Sequence, residues 1–197
     1  ILAYVSDDFL AKNQIKKGVM NLINYERSRE LYRQISATKK VAGGSAANTM
    51  VGLSQLGLKT SYFGKVSNDE FGKLFTDDLN LNDVEYNLSK KSDSSNLSTG
   101  HCIVLVTPDG ERTMNTYLGV TEFLSKDDLN LNILQNCAWL YLEGYRYDGI
   151  DSQKAFEIAI NLSKKGGGKV ALSLSDPFCV QRHRKKFINI MNNGVDL

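Results

Sequence analysis

Two spacings of apolar residues alternate along this chain. Short apolar runs, the pattern of buried strands, are separated by stretches in which apolar residues return every three or four positions, the pattern of helices. Ile1–Val5 and Val19–Ile23 are short apolar runs, with a helical turn predicted between them over Asp7–Gln14. Tyr25–Ile35 reads as a charged amphipathic helix with Leu31 and Ile35 turned inward. The helix after Ser45 carries Ala46, Ala47, Met50, Val51, Leu53 and Leu56, apolar almost all round, and is expected to be buried. A strand follows over Thr60–Val66 and a helix over Asp69–Leu79. Val84–Asn87 reads as a short strand, followed by a polar stretch from Ser89 to Asn96. Thr99–Thr107 and Glu111–Leu118 are two strands joined by Pro108-Asp109-Gly110, where proline presets φ and glycine accepts a positive φ. The alternation then resumes with helix Lys126–Leu134, strand Ala138–Leu142, helix Ser152–Ser163, strand Lys169–Leu174 and helix Val180–Met191. Alternating strands and helices predict an α/β fold, a mainly parallel sheet covered on both faces.

Composition narrows the class. A chain of 197 residues can bury one substantial core, and 42% hydrophobic with 23% charged residues is ordinary for a globular protein. The wholly apolar run Cys137–Leu142 is far too short to span a bilayer. A net charge of +2 gives no general attraction to nucleic acid or to an anionic membrane, so neither is expected as a partner. Cys102, Cys137 and Cys179 lie far apart, which fits reduced thiols in a cytoplasmic protein and neither a disulfide frame nor a zinc site. The chain opens on Ile1 and closes on Val195-Asp196-Leu197, which reads like the start of a buried strand, so a piece of a longer protein is expected.

The most informative segment is Val41-Ala42-Gly43-Gly44-Ser45-Ala46-Ala47-Asn48-Thr49. Glycine lacks Cβ, so a ligand can lie against the backbone at Gly43 and Gly44. Ser45 is a good helix N-cap, and the amides behind it favour electron-rich partners. Asn48, three residues on, shares its helix face, an arrangement that suits a small polyol. The plain alternative is a tight turn before a helix. Glu143 ends a predicted strand, and ligands of open α/β sheets bind at the carboxyl ends of strands; a surface carboxylate is the alternative. Arg112 stands on the second strand of the hairpin, where it could meet an anionic or polyol group or be simply solvated; Asn115 and Tyr117 share its strand as weaker candidates. The basic run Arg182-His183-Arg184-Lys185-Lys186 reads as the wet face of a helix. Gly166-Gly167-Gly168-Lys169 lacks the spacing of a phosphate loop and the following Ser or Thr, and reads as a helix-to-strand turn.

Gly-Gly-Ser-Ala-Ala-Asn followed by Gly64-Lys65-Val66-Ser67-Asn68-Asp69-Glu70-Phe71-Gly72 resembles the first signature region of the ribokinase-like (PfkB) carbohydrate kinases. The resemblance covers the chain and implies a ribokinase-like three-layer sandwich with a small β-sheet lid, incomplete at both ends. The lid segments would be about 1–23 and 84–118, built from Ile1–Val5, Val19–Ile23, Val84–Asn87 and the 99–118 hairpin. It implies an ATP-dependent kinase acting on an alcohol group of a sugar or nucleoside, with Mg-ATP as cofactor. Gly43, Gly44 and Asn48 match family positions that grip the sugar, Ser45 lies next to the substrate, and relatives use an acidic residue near Glu143. The hairpin sequence looks closer to the adenosine-kinase-like branch than to fructose phosphate kinases. Lid edges are a common dimerisation surface in that family, which implies a homodimer. The family's first-strand aspartate would fall just before Ile1. Its Asn-x-x-Glu motif and its Gly-Ala-Gly-Asp motif with the catalytic base would fall beyond Leu197, so the chain alone is expected to be inactive. Two other readings stay open: a truncated or degenerate relative that binds a small molecule without catalysis, and an unrelated α/β module whose glycines are only turns.

Overall fold

The computed structural model describes residues 1–36, 39–90 and 97–197. Its strands are β1 (Leu2–Tyr4), β2 (Met20–Leu22), β3 (Ser61–Val66), β4 (Glu85–Lys90), β5 (His101–Val106), β6 (Arg112–Tyr117), β7 (Trp139–Glu143) and β8 (Lys169–Ser173). Its helices are α1 (Asp7–Lys12), α2 (Tyr25–Gln34), α3 (Ser45–Gln55), α4 (Glu70–Leu81), α5 (Leu131–Asn136), α6 (Ile150–Lys165) and α7 (Pro177–Gly194). The chain forms two compact units. The first comprises Ile1–Ala42, Val66–Thr76 and Lys91–Thr121; the second comprises Gly43–Lys65, Asp77–Lys90 and Glu122–Leu197.

The first unit holds a four-stranded sheet in the order β1-β5-β6-β2. β5 and β6 pair antiparallel, with Val104 opposite Met114, and the two outer strands run parallel to their neighbours. Side chains on a strand alternate between faces, so Ile103 and Leu105 enter the core with Ala3 while Val104 and Val106 take the other side. That core is closed by Leu10 of α1 and Leu31 of α2. The hairpin turn has the expected chemistry: Gly110 sits at φ +82°, its amide donates to Thr107 O at 2.8 Å, and the Thr107 hydroxyl donates to Asp109 Oδ1 at 2.6 Å. Lys17 bridges Asp7 and Asp109 at 2.7 Å each, tying α1 to the turn. Asp69 organises the start of α4, accepting from Gly72 N at 2.8 Å, Thr99 N at 2.7 Å and the Thr99 hydroxyl at 2.6 Å. Gly72 is required there by close approach, because a Cβ would lie 2.1 Å from Ser67 O.

In the second unit β7 and β8 run parallel, Leu140 opposite Val170 and Glu143 opposite Ser173, and β3 pairs with β4. Leu140, Leu142 and Val170 are buried with Tyr147, Phe156, Ala159, Phe187 and Ile190. Each such aliphatic or Phe side chain contributes roughly 1.5–3 kcal/mol through burial. Past α7 the chain runs beside β8, with Asp196 N donating to Val170 O at 2.7 Å and Leu172 N to Leu197 O at 3.0 Å.

Three expectations are corrected. Val84–Asn87 does not join the four-stranded sheet: β4 pairs with β3 in the second unit. The single helix expected over Lys126–Leu134 is broken into a 3-10 turn, Lys126–Asp128, and α5. Short polar side chains cause the break: Asp128 turns back to accept from Ser125 N at 2.7 Å, and Asn130 caps α5 by accepting from Asn132 N and Ile133 N. Finally, α3 is not enclosed; Ala47 is its one buried residue, and Leu56 just beyond it is 80% exposed. The polar stretch from Ser89 onward falls, over residues 91–96, outside the described residues.

Candidate functional site

The second unit opens at Gly43, and its loop into α3 is bare. Gly44 adopts φ +105°, ψ 134°, a conformation closed to side-chain-bearing residues, and a Cβ built at Gly43 or Gly44 would find no atom within 4 Å. Gly44, not Ser45, is the N-cap of α3, and no side chain caps the helix. The expectation for Ser45 is therefore corrected: the positive φ of Gly44 starts the helix one residue early, and Ser45 becomes its first turn, its carbonyl accepting from the Thr49 hydroxyl at 2.8 Å. The first intrahelical bond is Asn48 N to Gly44 O at 2.9 Å, so the amides ahead of it lack helical partners. Gly43, Gly44, Ser45 and Asn48 are all exposed.

α3 packs against β7, and Thr49 of the helix reaches the Tyr141 phenol of the strand. The Tyr141 hydroxyl donates to Glu143 Oε1 at 2.8 Å, and the Thr49 and Ser173 hydroxyls also act on this phenol. Burial, and then the bond to Glu143, push the Tyr141 phenol above its ordinary pKa. Glu143 is only 8% exposed, so it is no surface carboxylate. Its other oxygen, Oε2, accepts from the Ser175 hydroxyl at 3.2 Å, which in turn accepts from Tyr145 N at 2.9 Å. Ser175 sits at φ +70°, a left-handed conformation uncommon outside glycine, just past the carboxyl end of β8. Gly144 lets the two strand ends close together, since a Cβ there would lie 2.9 Å from Ser173 O. An open depression of about 400 Å³ begins at Ser175 and continues along Asp176, Pro177 and Val180.

Tyr141 and Ser175 were not singled out by patterning. The signal for Ser175 was present: Ser175-Asp176 directly follows the strand expected over Lys169–Leu174, where the strand-end rule applies as it does to Glu143. The other candidates fall elsewhere. Arg112 belongs to the first unit, exposed on β6, where its amide donates to the Glu111 carboxylate at 3.2 Å. Asn115 and Tyr117, on the opposite face of that strand, are buried, and Asn115 donates to Ile103 O at 3.4 Å. In the basic run, Arg182 makes a two-pronged contact with Asp148 at 3.0 Å to each oxygen, and His183 Nε2 lies 2.5 Å from Asp148 Oδ1. Gly166–Gly168 is the turn between α6 and β8.

The model of the pfkB family of carbohydrate kinases matches residues 16–197. The chain belongs to that family. A probable sugar kinase from Rhizobium etli CFN 42 superposes with a TM-score of 0.90 at 37% identity, covering 100% of this chain and 59% of that one. The adenosine kinase from Sinorhizobium meliloti gives 0.88 at 37% identity, covering 100% and 60%. In sequence, probable fructokinase-7 of Arabidopsis thaliana is 37% identical over 101 residues, which is 50% of this chain and 29% of that protein. The fold is accordingly ribokinase-like, and the chain corresponds to the N-terminal portion of these pfkB relatives, about three-fifths of the solved ones. Among the described residues no helix is long and apolar enough to cross a membrane.

Proposed function

We propose that this protein transfers phosphate from Mg-ATP to an alcohol group of a sugar or nucleoside, and that this stretch supplies the grip on the acceptor. The observation that carries the reading is Glu143. It is a buried carboxylate at the end of a parallel strand, each oxygen held by one hydroxyl, beside a helix whose leading amides stay open behind two bare glycines. A carboxylate offers about four lone-pair directions, so Glu143 retains capacity for hydroxyls of a bound sugar. Asn48 would add an amide, Gly43 and Gly44 close backbone approach, and Ser45 an adjacent contact.

The names of similar proteins favour this substrate range, since they include a sugar kinase, an adenosine kinase and a fructokinase. Family membership implies ATP as donor. Among the described residues no cluster of three or more His, Cys, Asp or Glu could hold a metal ion. The deprotonation of the acceptor hydroxyl is likewise assigned to no described residue, and we expect this stretch alone not to transfer phosphate. We also propose a homodimer through the lid sheet, where Tyr4, Leu22 and Met114 are exposed, testable by sedimentation. A cytoplasmic setting suits the three free thiols.

Calorimetric titration with ribose, adenosine and fructose tests the grip. Saturable binding of one of them, weakened in Glu143→Gln, is the expected result; indifference to all three removes the reading. A protein carrying the remaining family length that binds sugar yet forms no ADP from ATP would match the second reading, a relative that binds without catalysis.

A further inference from the structure

Glu143 is held in part by a serine whose backbone is strained. Ser175 lies two residues past β8, at φ +70°. Gln14 and Asp83 are the other non-glycine residues at positive φ among the described residues, and both lie just past a helix end, where chains commonly turn that way. Ser175 instead follows a strand, and glycine would adopt its φ without strain. Strained backbone of this kind clusters at functional sites, where the surroundings hold it in place. Gly144 leaves room for the hydroxyl, since a Cβ there would lie 3.1 Å from Ser175 Oγ. The Ser175 amide donates to Ser173 Oγ at 3.2 Å and fixes the residue from its backbone side.

The single proton of that hydroxyl has a fixed direction. The Tyr145 amide can only donate and lies 2.9 Å from Ser175 Oγ, so the oxygen accepts there. Glu143 Oε2, 3.2 Å away, can only accept as a carboxylate, so the proton points to it. From β7 the Tyr141 hydroxyl donates to the other oxygen, Oε1, at 2.8 Å. A carboxylate held at one oxygen still turns about its last torsion, which is broad and soft. Held at both, it presents its remaining lone pairs in fixed directions. Ser175 also lines the depression of about 400 Å³ that continues to Val180, so Oε2 stands one hydrogen bond from its wall. We propose that Ser175 is a positioning residue: its hydroxyl fixes the Glu143 carboxylate so that the free lone pairs meet the hydroxyls of the acceptor. This rests on the reading of Glu143 as the sugar contact, and Ser175 acts through Glu143 with no contact of its own to the ligand.

The test is a double-mutant cycle read by calorimetric titration with ribose, adenosine and fructose: wild type, Ser175→Gly, Glu143→Gln and the two changes together. Ser175→Gly should weaken the ligand that wild type binds about fivefold, the value of one modest hydrogen bond. In the Glu143→Gln background the same change should cause no further loss, because the group it orients is gone. The urea midpoint of Ser175→Gly should stay near wild type, since relaxing φ offsets the lost hydrogen bonds. Wild-type affinity in Ser175→Gly overturns the proposal, and so does an equal loss in both backgrounds, which would mean a contact independent of Glu143. A Ser175→Gly variant that unfolds at much lower urea or does not fold makes Ser175 an anchor of the β8 end and also overturns it. In each of these cases the sugar reading stands if Glu143→Gln alone still weakens binding. Binding of none of the three by wild type removes both.

Discussion

Two carboxylates five residues apart, Glu143 and Asp148, have been treated by the fold in opposite ways. Glu143 is buried and is served only by the neutral hydroxyls of Tyr141 and Ser175, with no ion pair among the described residues. Asp148 keeps 44% of its side chain exposed, yet it is held by the Arg182 fork and by His183. The more costly position thus has the weaker partners. Burying a charge is unfavourable unless it is paired and fully bonded, and this imbalance supports the proposal that Glu143 contacts a ligand. Asp148 is already satisfied and reads as an anchor between the segment after β7 and α7.

The comparison depends on a shared scaffold, and the largest effect comes from removing it. Phe187 is 1% exposed, with ring centroids 5.3 Å from Tyr147 and 5.8 Å from His183. Phe187→Ala should lower stability by about 3–5 kcal/mol through lost burial and the cavity left behind. Urea unfolding followed by far-UV circular dichroism checks this; a loss under about 1 kcal/mol would mean the core beneath both carboxylates is not as packed as described. Next in size is Glu143→Gln. It should weaken sugar binding roughly 10- to 100-fold, the value of a hydrogen bond to a charged group, while the urea midpoint stays near wild type. If stability falls instead and binding does not, Glu143 is an anchor like Asp148 and the contrast disappears.

How much of this could be read beforehand divides along physical lines. The hairpin was legible because Pro108-Asp109-Gly110 fixes its own geometry within a few residues. The place of Glu143 at the end of a strand was legible because a strand end is a local fact. Its partners were not: Ser175 reaches it only because β7 and β8 lie side by side, a relation between residues 32 apart in sequence. Ser45 was misplaced as a cap because the sequence shows that Gly43 and Gly44 can leave ordinary backbone space, not which one does. The Lys126–Leu134 break was hidden for a related reason, since Asp128 and Asn130 are tolerated in a helix and yet bond better to backbone outside it.

A smaller effect separates the two carboxylates by pH. Burial pushes the Asp148 carboxyl up, but the hydrogen bonds from Arg182 and His183 outweigh it and hold the group below its ordinary value. A depressed folded pKa gives stability that is complete above the unfolded value near 4 and is lost as pH falls through the folded one. Asp148→Asn should therefore cost under about 1 kcal/mol at neutral pH, because the pair is solvent-screened, and the difference from wild type should vanish in acid. Melting temperatures across that range measure it; a difference that persists in strong acid would show that packing, not charge, ties Asp148 to α7.

The smallest structural effect sharpens the contrast most. Asn48 is exposed on the first turns of α3, and its side chain bonds to no described residue. Asn48→Ala should leave stability within about 0.5 kcal/mol of wild type, and the better helix propensity of alanine acts in the same direction. If Asn48 shares the acceptor with Glu143, the same change should weaken sugar binding roughly two- to tenfold, the range of a neutral hydrogen bond. An amide that the folded protein does not use for itself can register only through a ligand. Unchanged binding in Asn48→Ala together with weakened binding in Glu143→Gln would confine the site to the ends of β7 and β8, away from the bare glycines.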